Sequence, residues 1–221
     1  MFRTDMNQAL FEKHLQLVIE ANKTTNLTRI DDVEKARILH IEDSLAALQE
    51  INAAPRGEYA DIGSGAGYPG IPLAIATGRK TTLVDSVKKK AAFLEKFVDE
   101  LGLKDTVSVY GGRVEELSLE RPKSFSVITA RAFSSLASIL ELANPLLQRH
   151  GQVVCYKAHV SKEEYDHAAA LEDLLGMRLV SDREIMLSDA ETYRRILVFE
   201  KEHTAKVKLP RRNGMAQKKP F

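Results

Sequence analysis

Asp61-Ile62-Gly63-Ser64-Gly65-Ala66-Gly67-Tyr68-Pro69-Gly70 places an acid two residues before three alternate glycines. Upstream lies the short apolar stretch Tyr59-Ala60-Asp61-Ile62, and downstream Ile71-Pro72-Leu73-Ala74-Ile75-Ala76 reads as the opening of a helix. Strand, glycine loop and helix N-terminus in that order let a backbone approach a nucleoside ligand closely. Glycine is required where a Cβ would block the approach or where the turn needs φ > 0. Asp85 ends a second apolar run, Thr81-Thr82-Leu83-Val84. A carboxylate there can accept hydrogen bonds from both ribose hydroxyls, so loop and acid together describe a nucleoside site.

Two motifs overlap in the loop. From Asp61 it reads D-x-G-x-G-x-G, the pattern of S-adenosylmethionine-dependent methyltransferases. From Gly65 it reads G-x-G-x-x-G, the dinucleotide fingerprint. The first reading uses Gly63, which the second leaves idle. It also gives Asp61 a partner, since a carboxylate repels a pyrophosphate but suits a cationic amine or sulfonium. Pro69 removes a backbone N–H where a dinucleotide site needs one. A glycine turn with no ligand is the remaining reading of the motif taken alone.

The 221 residues, 44% hydrophobic and 29% charged, describe a folded protein with one sizeable domain and an extension. The single cysteine, Cys155, excludes an internal disulfide and a thiolate metal cluster, so no metal is expected. No apolar stretch is long enough to span a membrane and no leader is legible at Met1, so a cytoplasmic protein without membrane contact is expected. Net charge is only +1, but residues 201–221 hold seven Lys/Arg against one acid. That segment carries +6 and the remainder −5. A phosphate-rich partner met at the tail fits this asymmetry, and so does a solvated chain end.

Residues 6–21 carry an apolar stripe (Met6, Leu10, Phe11, Leu15, Leu17, Val18, Ala21) that predicts an amphipathic helix. A second helix is expected from Asp31 or Asp32, with Glu34 as a capping-box partner. From Glu58 the pattern alternates. Strands are expected at 58–62, 81–85, 106–110, 125–130 and 152–157, with helices at 70–77, 87–101, 134–148 and 161–175. Segments 177–187 and 193–201 then follow without an intervening helix, so the last strand should run antiparallel. The fold expected is α/β and Rossmann-like, that of a class I methyltransferase. It has a mostly parallel seven-stranded sheet, an antiparallel closing strand and helices ahead of it. Residues 1–52 form a helical extension, 53–201 the cofactor-binding domain and 202–221 a basic tail, all within one globular unit.

Several stretches together resemble the glucose-inhibited division protein B (RsmG) methyltransferases over nearly the whole chain. Thr25-Asn26-Leu27-Thr28, His40-Ile41-Glu42-Asp43-Ser44-Leu45 and the loop with its Pro69-Gly70-Ile71-Pro72-Leu73 continuation come first. Val84-Asp85-Ser86, Arg113-Val114-Glu115-Glu116, Arg131-Ala132-Phe133 and Tyr156-Lys157 follow in the family's order. Leu209-Pro210-Arg211-Arg212-Asn213-Gly214 and Lys218-Lys219-Pro220-Phe221 resemble its close. Ser64, Ala66, Tyr68, Ala130 and Ala158 depart from the commoner residues of that pattern. The resemblance implies S-adenosyl-L-methionine as cofactor and N7 of a guanine in 16S ribosomal RNA of the small subunit as acceptor. It implies cofactor contacts from Gly63, Gly65, Gly67, Tyr68, Val114, Glu115 and Arg131, with Asp85 placed at the ribose by its position. Arg131 and Lys157 are the expected catalytic residues on the substrate side, and a monomer is expected.

Guanine N7 bears a lone pair and no proton, so orientation rather than a general base is the enzyme's contribution. Arg131 and Lys157 each follow a strand at the sheet's carboxyl edge, where α/β ligands bind. An ion pair anchoring the loop is the alternative for Arg131, and a surface charge beside Glu116 the alternative for Glu115. His40, among Ile38, Leu39 and Ile41, reads as a core or capping histidine. Tyr68 and Phe133 are candidates for stacking on a base, and the tail with Arg113, Arg131 and Lys157 for phosphate contact. A dinucleotide oxidoreductase, an RNA-binding assembly factor without activity and a small-molecule methyltransferase are the rival readings.

Overall fold

A computed structural model describes residues 2–23 and 32–221, with side chains from residue 5 onward in the first helix. The Thr25–Thr28 turn and the Asp31 capping candidate lie outside the described residues. Helix α1 (Phe2–Asn22) presents Phe11, His14, Leu15 and Val18 to the interior, a spacing that puts all four on one face. Met6, expected in that stripe, is 60% exposed, and His14 occupies the buried face instead. Asp32 caps α2 (Val33–Ala36), its carboxylate accepting from Lys35 N at 2.8 Å. A π-helical turn (Arg37–Glu42) follows, then α3 (Asp43–Leu45) and α4 (Leu48–Ala53).

The alternating part runs β1 (Glu58–Ile62), α5 (Gly70–Thr77), β2 (Thr81–Val84), α6 (Lys88–Glu100), β3 (Val107–Tyr110), α7 (Val114–Glu120) and β4 (Phe125–Arg131). It continues through α8 (Leu136–Ala143), β5 (Leu147–Lys157), α9 (Lys162–Ala170), α10 (Glu172–Leu175), β6 (Met177–Met186), β7 (Tyr193–Lys201) and α11 (Met215–Lys218). The seven strands order as β3-β2-β1-β4-β5-β7-β6. Strands β1 to β5 are parallel, and β7 is antiparallel to both β5 and β6, as the helix-free link between the last two segments predicts. Chain direction along the sheet reverses between β1 and β4, which opens the ligand crevice above those two strand ends.

The helix expected over 134–148 is shorter, Leu136–Ala143. Asn144 and Pro145 stop it, since proline offers no backbone donor, and Leu147 already pairs with Phe125 at the start of β5. The helix expected over 161–175 divides at Leu171 into α9 and α10. Helices α7 and α11 were not anticipated. In α7 Glu116 accepts from Arg113 N at 3.1 Å, closing the first turn locally.

Residues 202–221 fold back over α7 and α8. Arg211 donates through Nε and Nη2 to Glu141, whose carboxylate is 2% exposed. Ser138 Oγ donates to Ala216 O at 2.7 Å, and Ala216 is buried against α8. The tail's charge is therefore partly internal. Arg211 and Lys201 (to the carbonyls of Asn144 and Leu147) are engaged inside, Lys206 pairs with Asp173 at the surface, and Lys208, Arg212, Lys218 and Lys219 are exposed.

Candidate active site

The glycine loop is fixed from both flanks. Parallel pairing sets Asp61 opposite Thr129, so Thr129 Oγ1 donates to Asp61 Oδ1 at 2.7 Å. Asp61 Oδ2 accepts from Gly70 N at 3.2 Å, at the N-terminus of α5. A Cβ on Gly70 would fall 2.4 Å from Leu83 and 2.8 Å from the Asp61 carboxylate, so this close approach needs glycine. Asp61 is 1% exposed, and burial raises its pKa to about 6. The expectation that Asp61 meets a cationic ligand is corrected here. Its two oxygens face a strand and a helix, and the carboxylate shapes the loop from inside.

Gly63 has φ +77°, and a Cβ there would sit 2.3 Å from Phe133 Cδ2. Gly65 N donates to Asp85 Oδ2 and Val87 N to Asp85 Oδ1, both at 2.9 Å. Asp85 thus clamps the loop to the end of β2, and each of its oxygens keeps a further lone pair. Gly63, Asp85, Val114, Glu115 and Phe133 line one open cavity of about 200 Å³ above β1, β2 and β4. A floor that tolerates no side chain, the Asp85 carboxylate and the apolar Val114 beside Glu115 are features that suit a nucleoside cofactor. Gln217, unforeseen, lines it as well.

Tyr68 does not line this cavity. It is 4% exposed, stacked on His40 at 4.5 Å and 7°, with the tilted His14 ring at 4.4 Å. The Tyr68 ring is a core element that anchors the loop to α1 and the π-helical turn, so its buried face is not offered to a base. His14 accordingly stays neutral, its pKa lowered to about 3 mainly by burial, while its Nε2 lies 3.0 Å from Ala66 O. His40 is 6% exposed, and burial, reinforced by Arg131, brings it to about 4.

A second cavity of about 560 Å³ lies over the ends of β4 and β5, lined by Arg131, Lys157, His159, Arg194, His40 and Asp43 among others. The buried Asp43 carboxylate, 1% exposed, bridges Arg131 Nη1 and Arg194 Nε, each at 2.8 Å. Arg131 also donates to Leu39 O at 3.0 Å, a carbonyl within the π-helical turn. π-Helical segments recur at functional sites, where they redirect side chains out of the α-helical register. Lys157 Nζ donates to Glu164 at 2.7 Å and to Ser134 O at 3.2 Å. Arg131 and Lys157 therefore share this cavity and are absent from the lining of the first. Sequence reasoning passed over Asp43 and Arg194. Asp43 lay in the quoted His40–Leu45 stretch, whereas nothing local marks Arg194. Ala132, held at φ +49°, lines both cavities and forms their common wall.

Similar proteins agree with this architecture. Residues 7–188 match the pattern of the family GidB, rRNA small subunit methyltransferase G. Ribosomal RNA small subunit methyltransferase G of Alkaliphilus metalliredigens is 34% identical over 100% of this chain and 93% of its own length. Its counterpart from a Geobacillus species is 33% identical over 96% and 90%. Among solved structures, the Bacillus cereus O-methyltransferase in complex with S-adenosylhomocysteine superposes with a TM-score of 0.61 at 16% identity, covering 86% of this chain and 91% of that one. TrmN from Thermus thermophilus superposes at 0.55 and 19% identity, over 72% and 48%. The fold is that of class I S-adenosylmethionine-dependent methyltransferases, and the chain belongs to the GidB family, the rRNA small subunit methyltransferases G.

Proposed function

We propose that the protein methylates N7 of a specific guanine in 16S ribosomal RNA. The carrying observation is that two cavities, one fitted to the cofactor and one basic, meet at the single residue Ala132. S-adenosylmethionine supplies an electrophilic methyl group on a sulfonium, which a nitrogen lone pair takes in line with no proton to remove. Gly63, Asp85, Val114 and Glu115 would hold it. The basic cavity would receive the guanine.

Arg131 and Arg194 are aligned by Asp43, so their guanidinium groups are held in place before any ligand arrives. Guanidinium donors suit the O6 and N7 edge of guanine. At N7 such donors would compete with the attacking lone pair, so the role assigned to Arg131 is holding O6. Asp43 is committed to two guanidiniums, which fits a nucleophile that needs no base. Orientation of this kind is a large part of catalysis when two reactants must meet collinearly. Phe133, partly buried in the lining of the first cavity next to Ala132, is the remaining stacking candidate. Exposed Arg113, Arg212, Lys218 and Lys219 offer phosphate contacts beside the cofactor cavity.

The test is methyl transfer from labelled S-adenosylmethionine to small subunits from cells lacking this protein. The product is mapped by reduction and aniline cleavage, which cuts at N7-methylguanine. One new cut in 16S RNA, lost with Arg131→Ala, is expected. Incorporation elsewhere, or none while S-adenosylhomocysteine still binds, would remove the substrate assignment and leave the fold untouched.

A further inference from the structure

The C-terminal segment reaches the cofactor cavity as well as covering α8. Gly214 N donates to Glu115 Oε1 at 2.6 Å, and Glu115 is 6% exposed. Next to it Asn213 Nδ2 donates to Glu116 Oε1 at 2.8 Å. Three residues beyond Gly214, Gln217 joins the cavity lining together with Val114 and Glu115 while its residue remains exposed to solvent. Gly214 sits at φ +77° as the residue before α11, a conformation that turns the chain toward this wall. The segment is held there firmly, through Arg211 on buried Glu141 and the buried Ala216.

Glu115 and Gln217 thus line the same cavity as Gly63, Phe133 and Asp85. A carboxylate offers acceptors only, whereas a glutamine amide offers a donor beside an acceptor. Adenine carries an amino group with two hydrogens, next to ring nitrogens that accept. One residue of each kind satisfies that pattern, and a carboxylate alone leaves the ring nitrogen unmatched. We propose that the C-terminal segment completes the cofactor site, Gly214 N–H aiming the Glu115 carboxylate and the Gln217 amide binding the polar edge of the adenine. The proposal rests on the first cavity being the adenosine end of the site. It also gives the tail a second role besides charge: cofactor affinity depends on residues about 150 positions after the glycine loop.

The experiment is isothermal titration of the full-length protein with S-adenosylhomocysteine, comparing wild type with Gln217→Ala, Gln217→Met and Asp85→Ala. Loss of one amide's hydrogen bonding predicts binding weaker by about three- to tenfold in both Gln217 variants. Methionine keeps the bulk and lacks the amide, so it should match alanine. The melting temperature of the ligand-free variants should equal that of wild type, because residue 217 is exposed. Unchanged affinity in the Gln217 variants with binding lost in Asp85→Ala would overturn the proposal and leave the cavity assignment standing. Wild-type binding in Asp85→Ala would overturn both. Weaker binding accompanied by a lowered melting temperature would make Gln217 a packing residue and also overturn it.

Discussion

The two cavities that meet at Ala132 are built in different ways. The cavity proposed for the cofactor has a backbone floor: a loop whose Gly63 admits no side chain and whose Gly65 amide is held by Asp85. The basic side is made of side chains drawn from the π-helical turn, the ends of β4 and β5, and β7, and one buried carboxylate, Asp43, holds them together. Backbone geometry survives most changes of side chain and fails abruptly when a Cβ intrudes. A charge network weakens in steps, because each partner that leaves exposes another buried charge.

The largest expected effect follows from the first half of that contrast. Gly63→Ala places a methyl group 2.3 Å from Phe133 at a positive φ. Phe133 or the loop must shift, and S-adenosylhomocysteine affinity should fall by roughly a hundredfold or more, as about 3 kcal/mol of strain and lost contact implies. Titration calorimetry reads this directly. If binding survives within a few-fold, the cofactor floor is not rigid backbone and the contrast is wrong.

Asp43→Ala probes the other half. Two guanidiniums would lose a buried partner, which costs on the order of 3–5 kcal/mol of stability, measurable by urea unfolding. Affinity for S-adenosylhomocysteine should change far less than methyl transfer to small subunits. Equal losses in both would show that the cavities are not separable.

A smaller and sharper effect concerns pH. Buried His14 has its pKa lowered to about 3 and His40 to about 4, from an ordinary value of 6.5. Between those values and 6.5 the unfolded chain binds protons that the folded chain refuses, so stability falls as pH drops through this window. Each fully differential histidine contributes a slope of about 1.4 kcal/mol per pH unit. Asp61, raised to about 6 from 3.8, opposes the trend: its contribution grows as pH falls from about 6 toward 3.8. The net slope from pH 6.5 to 4 should therefore be positive and should flatten in His14→Phe. An unchanged slope in that variant would mean that His14 does not hold the loop to α1 as a neutral ring.

How far these regions could be read in advance follows from the same contrast. The loop announced itself because Gly63, Gly65, Gly67 and Gly70 stand within eight residues of one another, and strand and helix periodicity flanked it. Asp85 was legible for a similar reason, at the end of a recognisable strand. The π-helical turn was not, since nothing in Arg37–Glu42 separates it from an ordinary helix. The burial of Tyr68 was not legible either, since an aromatic beside a ligand loop looks exposed, and only packing sets two histidine rings against it. Asn144-Pro145 marked the end of α8, and the apolar run around it concealed that signal.

Composition and local pattern by themselves determined the strand order of appearance, the glycine loop, the acid at the end of β2 and the antiparallel finish. These depend on interactions between residues close in the chain, and such interactions leave a periodic trace. The tertiary structure decided which charges pair: Asp43 with Arg131 and Arg194, 88 and 151 residues away, and Glu115 with Gly214, 99 residues on. An ion pair or a tail contact at that separation has no spacing to recognise. Its energy exists only after the sheet has set its register and water has been excluded from both partners.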